Sequence, residues 1–116
     1  MHIHRIYTGD DGETHFDDME VELEDGGPIG RLSPMETATG ILFREVDADY
    51  DYAWYTAPRR QYIINLVGGV EITVSDGETR RIGPGEVFLV EDTTGPGHFS
   101  KALDGQPRRS IFVALD

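Results

Sequence analysis

The chain has 116 residues, with 22 acidic against 10 basic side chains and a formal net charge of −12, which leaves room for one domain and one core. Nine arginines and a single lysine, Lys101, give an average surface that repels phosphate backbones, so nucleic acid is not an expected partner. The absence of cysteine excludes disulfides, thiolate metal ligands and a cysteine nucleophile.

Near the N-terminus, His2-x-His4 has the spacing of a same-face pair, but so close to a chain end it reads as adventitious metal affinity rather than a site. His15-Phe16-Asp17-Asp18 reads as surface. Met19, Val21 and Leu23 then alternate with acidic residues, and period two means a strand. After the acidic, Gly-Pro-punctuated loop from Glu22, residues 1–50 are expected to supply N-terminal strands that cover the rest.

Gln61 to Val74 is apolar on both faces in its first half, Tyr62, Ile64 and Leu66 alternating against Ile63, Asn65 and Val67. Such a strand needs cover on its outer side, from the N-terminal residues or from a second copy, so a homodimer is expected. Val70, Ile72 and Val74 form the next alternating run, and Asp76-Gly77 after it predicts a two-residue hairpin turn that folds Ile72 to Ile82 back on itself. Val87 and Leu89, then Ile111, Val113 and Leu115, complete the series of strands.

Turn signals at Asp25-Gly26-Gly27-Pro28, Gly83-Pro84-Gly85, Gly95-Pro96-Gly97 and Asp104-Gly105 space these runs as sandwiches and barrels do. Gly83-Pro84-Gly85 precedes a strand, not a helix, so it is a turn and not a pyrophosphate loop. No linker or repeat divides the chain, and residues 1–116 are expected to form one domain. With no apolar run of about 18 residues and no leader at Met1, neither a membrane span nor a secretory signal is expected, and a cytoplasmic address follows.

From Tyr55 to Gly97 the chain resembles the cupin superfamily. Ala57-Pro58-Arg59-Arg60-Gln61-Tyr62 and Glu91-Asp92-Thr93-Thr94-Gly95-Pro96-Gly97-His98 are similar to a group of small single-domain cupins without an assigned reaction. The resemblance implies an all-β double-stranded β-helix, or jelly-roll, barrel whose core motifs lie in residues 51–116. Aligned on Gly68, the general cupin pattern places its glutamate at Gln61 and its two histidines at Tyr55 and Ala57, while the second pattern, started at Gly85, places its last ligand at His98. Two of these four positions carry Ala57 and Gln61, so no tightly bound metal is expected. A divalent metal at His98 and Gln61, with His15 recruited, is the alternative.

If the chain from Tyr55 stays regular, Tyr55, Ala57, Arg59, Gln61, Ile63 and Asn65 share a face, and the resemblance makes that face the inner one. A bulge at Pro58 would bring Arg60 inward in place of Arg59. Either guanidinium suits a carboxylate, phosphate or enolate oxygen, and Asn65 completes the candidate ligand-binding set. His98, opening a strand after a Gly-rich turn, is the candidate general base. Tyr55 is a phenolic ligand, a proton donor to an oxyanion, or a core aromatic.

The expectation is a protein that binds a small anionic or carbonyl-bearing metabolite inside the barrel. Metal-free isomerase, epimerase or lyase chemistry is open to these residues, with a non-catalytic sensor and a metal-dependent oxygenase or lyase as the alternatives.

Overall fold

The computed structural model describes Met1–Asp116. Its hairpin at Asp76-Gly77 joins β8 (Val70–Val74) to β9 (Thr79–Ile82), with Val70 opposite Ile82 and Thr73 opposite Thr79. The loop is one residue longer than the sequence predicts. Asp76 keeps a negative φ and caps Glu78 N with its own Oδ1, so Gly77 alone, at φ 101°, supplies the left-handed position after a turn closed by Gly77 N to Val74 O.

Six strands form one sheet, in the order β2 (Thr14–Glu20), β1 (His2–Thr8), β10 (Val87–Val90), β7 (Gln61–Val67), β12 (Arg108–Ala114), β5 (Gly40–Val46). Four form the other: β6 (Asp51–Tyr55), β11 (His98–Ala102), β8 and β9. β1 runs parallel to β10, and every other pair is antiparallel. A two-stranded ribbon, β3 (Glu24–Asp25) with β4 (Arg31–Leu32), stands apart. The result is the all-β jelly-roll barrel that the sequence implies, and no helix is long and apolar enough to cross a membrane.

Between the sheets, Ile6, Ile72, Val74, Ile82 and Phe88 are fully buried and belong to one apolar cluster with Ile63, Val70, Val90 and Phe112. Each such side chain stabilises the fold by about 1.5–3 kcal/mol relative to exposure. The cluster closes one end of the barrel and leaves the other end open as a cavity lined by part of the same residues.

Three sequence expectations change. Residues 1–50 contribute mostly by extending the larger sheet, β1 and β2 beside β10 and β5 beside β12, because strand edges are satisfied by pairing, while on the outer side of β7 Glu36 accepts a hydrogen bond from the Tyr62 hydroxyl at 2.7 Å. The strand read as continuous from Tyr55 is broken at residues 56–60, where the chain passes from the smaller sheet to the larger. The bulge lies not at Pro58 but in β6, where the register against β11 slips between Tyr55 opposite His98 and Tyr52 opposite Ser100. Trp54 absorbs it at φ 35°, a strained value for a non-glycine residue.

Candidate functional site

The cavity has a volume of about 440 Å³, within the range of small-molecule sites, and its mouth opens between β5, β6 and the 56–60 crossover. The β6 bulge is what aims it: Tyr52 and Tyr55, three residues apart, both face inward with their rings edge to face at 4.4 Å. Gly97 is required beside them. At φ 74° it lets β11 begin against β6, where a Cβ would stand 2.2 Å from the Tyr55 carbonyl oxygen.

His98 follows, 4% exposed, its ring 4.8 Å from that of Tyr55. Its Nδ1 lies 2.5 Å from Oδ2 of Asp92, a fully buried carboxylate whose Oδ1 has no partner. With Nδ1–H donating to Asp92, the proton-free Nε2 is left without a partner in the chain and available to the cavity. Asp92 was not singled out from the sequence, although it continues the inward alternation of Phe88 and Val90.

Beside the imidazole, three hydroxyls form a triangle: Tyr50 to Ser100 at 3.1 Å, Tyr55 to Ser100 at 3.1 Å, and Tyr50 to Tyr55 at 3.3 Å. Burial pushes the Tyr55 phenol up to about 12, against the lowering effect of Ser100. Burial raises the Tyr50 phenol as well, but Ser100, Tyr55 and the Arg44 guanidinium outweigh it and the net shift is downward. The guanidinium carbon of Arg44 lies 5.0 Å above the Tyr50 ring.

Arg108, 4% exposed, completes the wall. Its Nε donates to Asn65 Oδ1 at 2.8 Å, while its terminal nitrogens make no hydrogen bond or ion pair within the chain. Burial, then repulsion from Arg44, brings this guanidinium down to about 10. Arg108 was also missed in the sequence, because the apolar alternation of Ile111 and Val113 drew attention to the opposite parity. Those two are only half-buried; Arg108, Ser110 and Phe112 are the residues that β12 buries.

Of the residues singled out beforehand, Tyr55, Arg59, Gln61 and His98 line the one cavity. Gln61 is 3% exposed and its Oε1 has no partner, so the cavity wall carries an unsatisfied amide. Arg60 is a correction: it points away and pairs with Glu91 at 2.7 Å and Asp116 at 3.3 Å, because the acids of the outer face outcompete a buried position. Asn65 is a second correction. It lies behind the wall, its amide donating to Ile82 O at 3.0 Å and its oxygen accepting from Arg108, so it positions the arginine and has no group left for a ligand.

The metal that the cupin resemblance implies meets a poor donor set. Its ligand positions carry Tyr55, Ala57, Gln61 and His98, the Tyr55 hydroxyl is engaged by Tyr50 and Ser100, and no carboxylate lines the cavity. One imidazole and one amide do not fit a three- or four-ligand centre. His15 is not among the residues that line the cavity and is paired with Asp11 at 2.9 Å and Asp76 at 2.8 Å. At the surface, His2, His4 and Asp18 present ligand atoms within 4.8 Å of one another, but Arg80 already occupies Asp18 with both terminal nitrogens and reaches His4 Nδ1.

No family model and no curated protein matches the chain. Among solved structures it is similar to the conserved protein SPY1581 of unknown function from Streptococcus pyogenes. That likeness has a TM-score of 0.50 at 18% identity and covers 72% of this chain and 69% of the other. It is similar as well to protein NMB1881 from Neisseria meningitidis, with a TM-score of 0.50 at 19% identity, covering 69% and 78%. At these identities the likeness is one of fold.

Proposed function

We propose that this protein binds a small organic anion inside the barrel, with Arg108 as the anchor and Arg44 and Arg59 nearer the mouth. The observation that carries the reading is the charge of the wall. In a chain with 22 acidic residues, the cavity is lined by three arginines and no aspartate or glutamate. A buried guanidinium with free terminal nitrogens and no acid beside it is a fork prepared for a planar oxyanion. Around it, Leu42, Ile63, Phe88 and Phe112 supply apolar walls for the rest of the molecule.

The binding proposed is metal-free. Titration calorimetry of chelator-treated protein with small carboxylates, inorganic phosphate and the matching neutral amides tests it. Saturable binding of an anion that the amide lacks, lost in Arg108→Met, is the expected result. Absence of saturable binding by every anion, or binding that survives Arg108→Met, would overturn the reading.

A further inference from the structure

We infer that the cavity is a proton-transfer site for 2-oxo carboxylates, in which His98 takes the proton from the carbon next to the carbonyl while the hydroxyls of Tyr50, Tyr55 and Ser100 hold the carbonyl oxygen. The inference rests on the anion-binding reading above and names its substrate class and chemistry.

The order of groups along the wall carries it. Arg44 stands over the Tyr50 ring and close enough to Arg108 to repel it. The Tyr50 hydroxyl is bonded to those of Ser100 and Tyr55, and the Tyr55 ring touches His98, which is backed by Asp92. Cations, hydroxyl donors and imidazole therefore follow one another without interruption. A 2-oxo carboxylate presents the complementary sequence in the same order: an anionic carboxylate, a carbonyl oxygen, and an acidic C–H. The three hydroxyls bond one another and meet, besides themselves, only the donor Arg44 at Tyr50, so the cluster has three protons and no strong acceptor, and an enolate oxygen supplies one. The raised phenol of Tyr55 stays protonated and able to donate at neutral pH.

The step balances without a cofactor. The C3–H bond breaks, its proton passes to His98 Nε2, and its electron pair becomes the C2–C3 double bond. The carbonyl π pair moves onto O2, where the hydroxyl cluster stabilises it. Return of a proton from the imidazolium to C3 restores the keto acid, and return to O2 by way of the hydroxyls releases the enol. Asp92 acts as a positioning residue: it fixes the tautomer that leaves Nε2 free and stabilises the imidazolium as it forms.

The experiment follows loss of the C3 proton signal by NMR in deuterated buffer, with 3-methyl-2-oxobutanoate and phenylpyruvate as probes, and 3-phenylpropanoate as a binder that lacks the carbonyl. The wild-type protein is expected to exchange C3 protons of a probe well above the buffer rate and in saturable fashion. His98→Asn, close in shape, is expected to reduce the rate about 10²–10⁴-fold while leaving affinity within a few-fold. Asp92→Asn should lower the maximal rate and alter its pH profile with little change in the half-saturating concentration, which a purely structural role would not do. Calorimetric binding of the 2-oxo acids without exchange above buffer would overturn this inference and leave the anion reading standing. Exchange unaffected by His98→Asn in a variant with a native spectrum would overturn the role of His98. If other anions bind and neither 2-oxo acid does, the substrate class is wrong; if no anion binds, the reading beneath it fails too.

Discussion

Asp92 and His98 form a buried pair, Oδ2 to Nδ1 at 2.5 Å, in which the carboxylate's second oxygen is left unpartnered and the imidazole's second nitrogen borders the cavity. The pair fixes a tautomer, and that is measurable. Nitrogen-15 NMR is expected to show the neutral imidazole of His98 as one tautomer, its proton on Nδ1, and to show a mixture of tautomers in Asp92→Ala. That substitution leaves a buried N–H without an acceptor, which costs about 1–3 kcal/mol by urea denaturation. An unchanged nitrogen spectrum would remove Asp92 from any role beyond packing.

Arg108 should prove dispensable for folding and necessary for binding. Its guanidinium falls from 12.5 to about 10 on burial, which corresponds to a penalty on the order of 3 kcal/mol at neutral pH. Arg108→Met relieves that penalty but leaves Asn65 Oδ1 without its donor, an opposing cost of about 1–3 kcal/mol. The variant is therefore expected to melt within a few degrees of wild type, or above it, and to lose the stabilisation by anions that wild type shows. A collapse of stability in Arg108→Met would mean that the guanidinium supports the fold by more than its one bond to Asn65.

Gly97→Ala tests how the site is assembled. The left-handed backbone alone costs a non-glycine residue about 1–3 kcal/mol, and the new methyl would meet the Tyr55 carbonyl. The start of β11 must then move away from β6, separating His98 from Tyr55. Reduced urea stability together with weaker anion binding is expected. Loss of stability with intact binding would show that the junction supports the fold alone.

His15 ties β2 to the β8–β9 turn. Hydrogen bonds that its ring donates to the carboxylates of Asp11 and then Asp76 raise it above its usual 6.5. A base raised in the folded state contributes stability that is fully present below 6.5 and lost as pH rises through the raised folded value. Thermal melts should therefore show His15→Gln less stable than wild type at pH 5 and matching it at pH 9. Equal melting at both values would show the pairs to be energetically silent.

The outer face of β5, β12 and β7 is apolar across three strands: Phe43 stands opposite Ile111 and Ile111 opposite Ile64, while Ile41, Val113 and Tyr62 form the next row. Phe43 is 76% and Ile41 60% exposed, and β5 is an edge strand with one side of its ladder free. We propose that a second copy of the chain covers this face, edge to edge and face to face, since an antiparallel edge is complementary to itself. Light scattering at micromolar concentration should report a dimer that Phe43→Glu dissociates. A monomer in wild type would refute it.

The alternating runs of β7, β8, β10 and β12, the turn positions and the place of the β8–β9 hairpin follow from local alternation and from glycine, whose positive φ needs no distant partner. β1 and β5 are not legible in it, and the run Met19-Val21-Leu23 is strand only as far as Glu20. The resemblance singled out His98, and its Gly-rich approach is local too. Asp92, Arg44, Tyr50, Ser100 and Arg108 were not legible in this way. They come from separate segments, and what unites them is the pairing of β12 with β5 and of β11 with β6. Alternation also misleads where a strand borders a polar cavity. The apolar parity of β12, Ile111 and Val113, faces out, and Arg108 and Ser110 face in, because the wall they complete is a binding surface rather than a core. The choice between Arg59 and Arg60 followed the parity shared by Tyr55, Ala57, Arg59 and Gln61, which no bulge at Pro58 disturbs; the bulge lies upstream of Tyr55, at Trp54, where β6 pairs with β11, a strand remote in the chain.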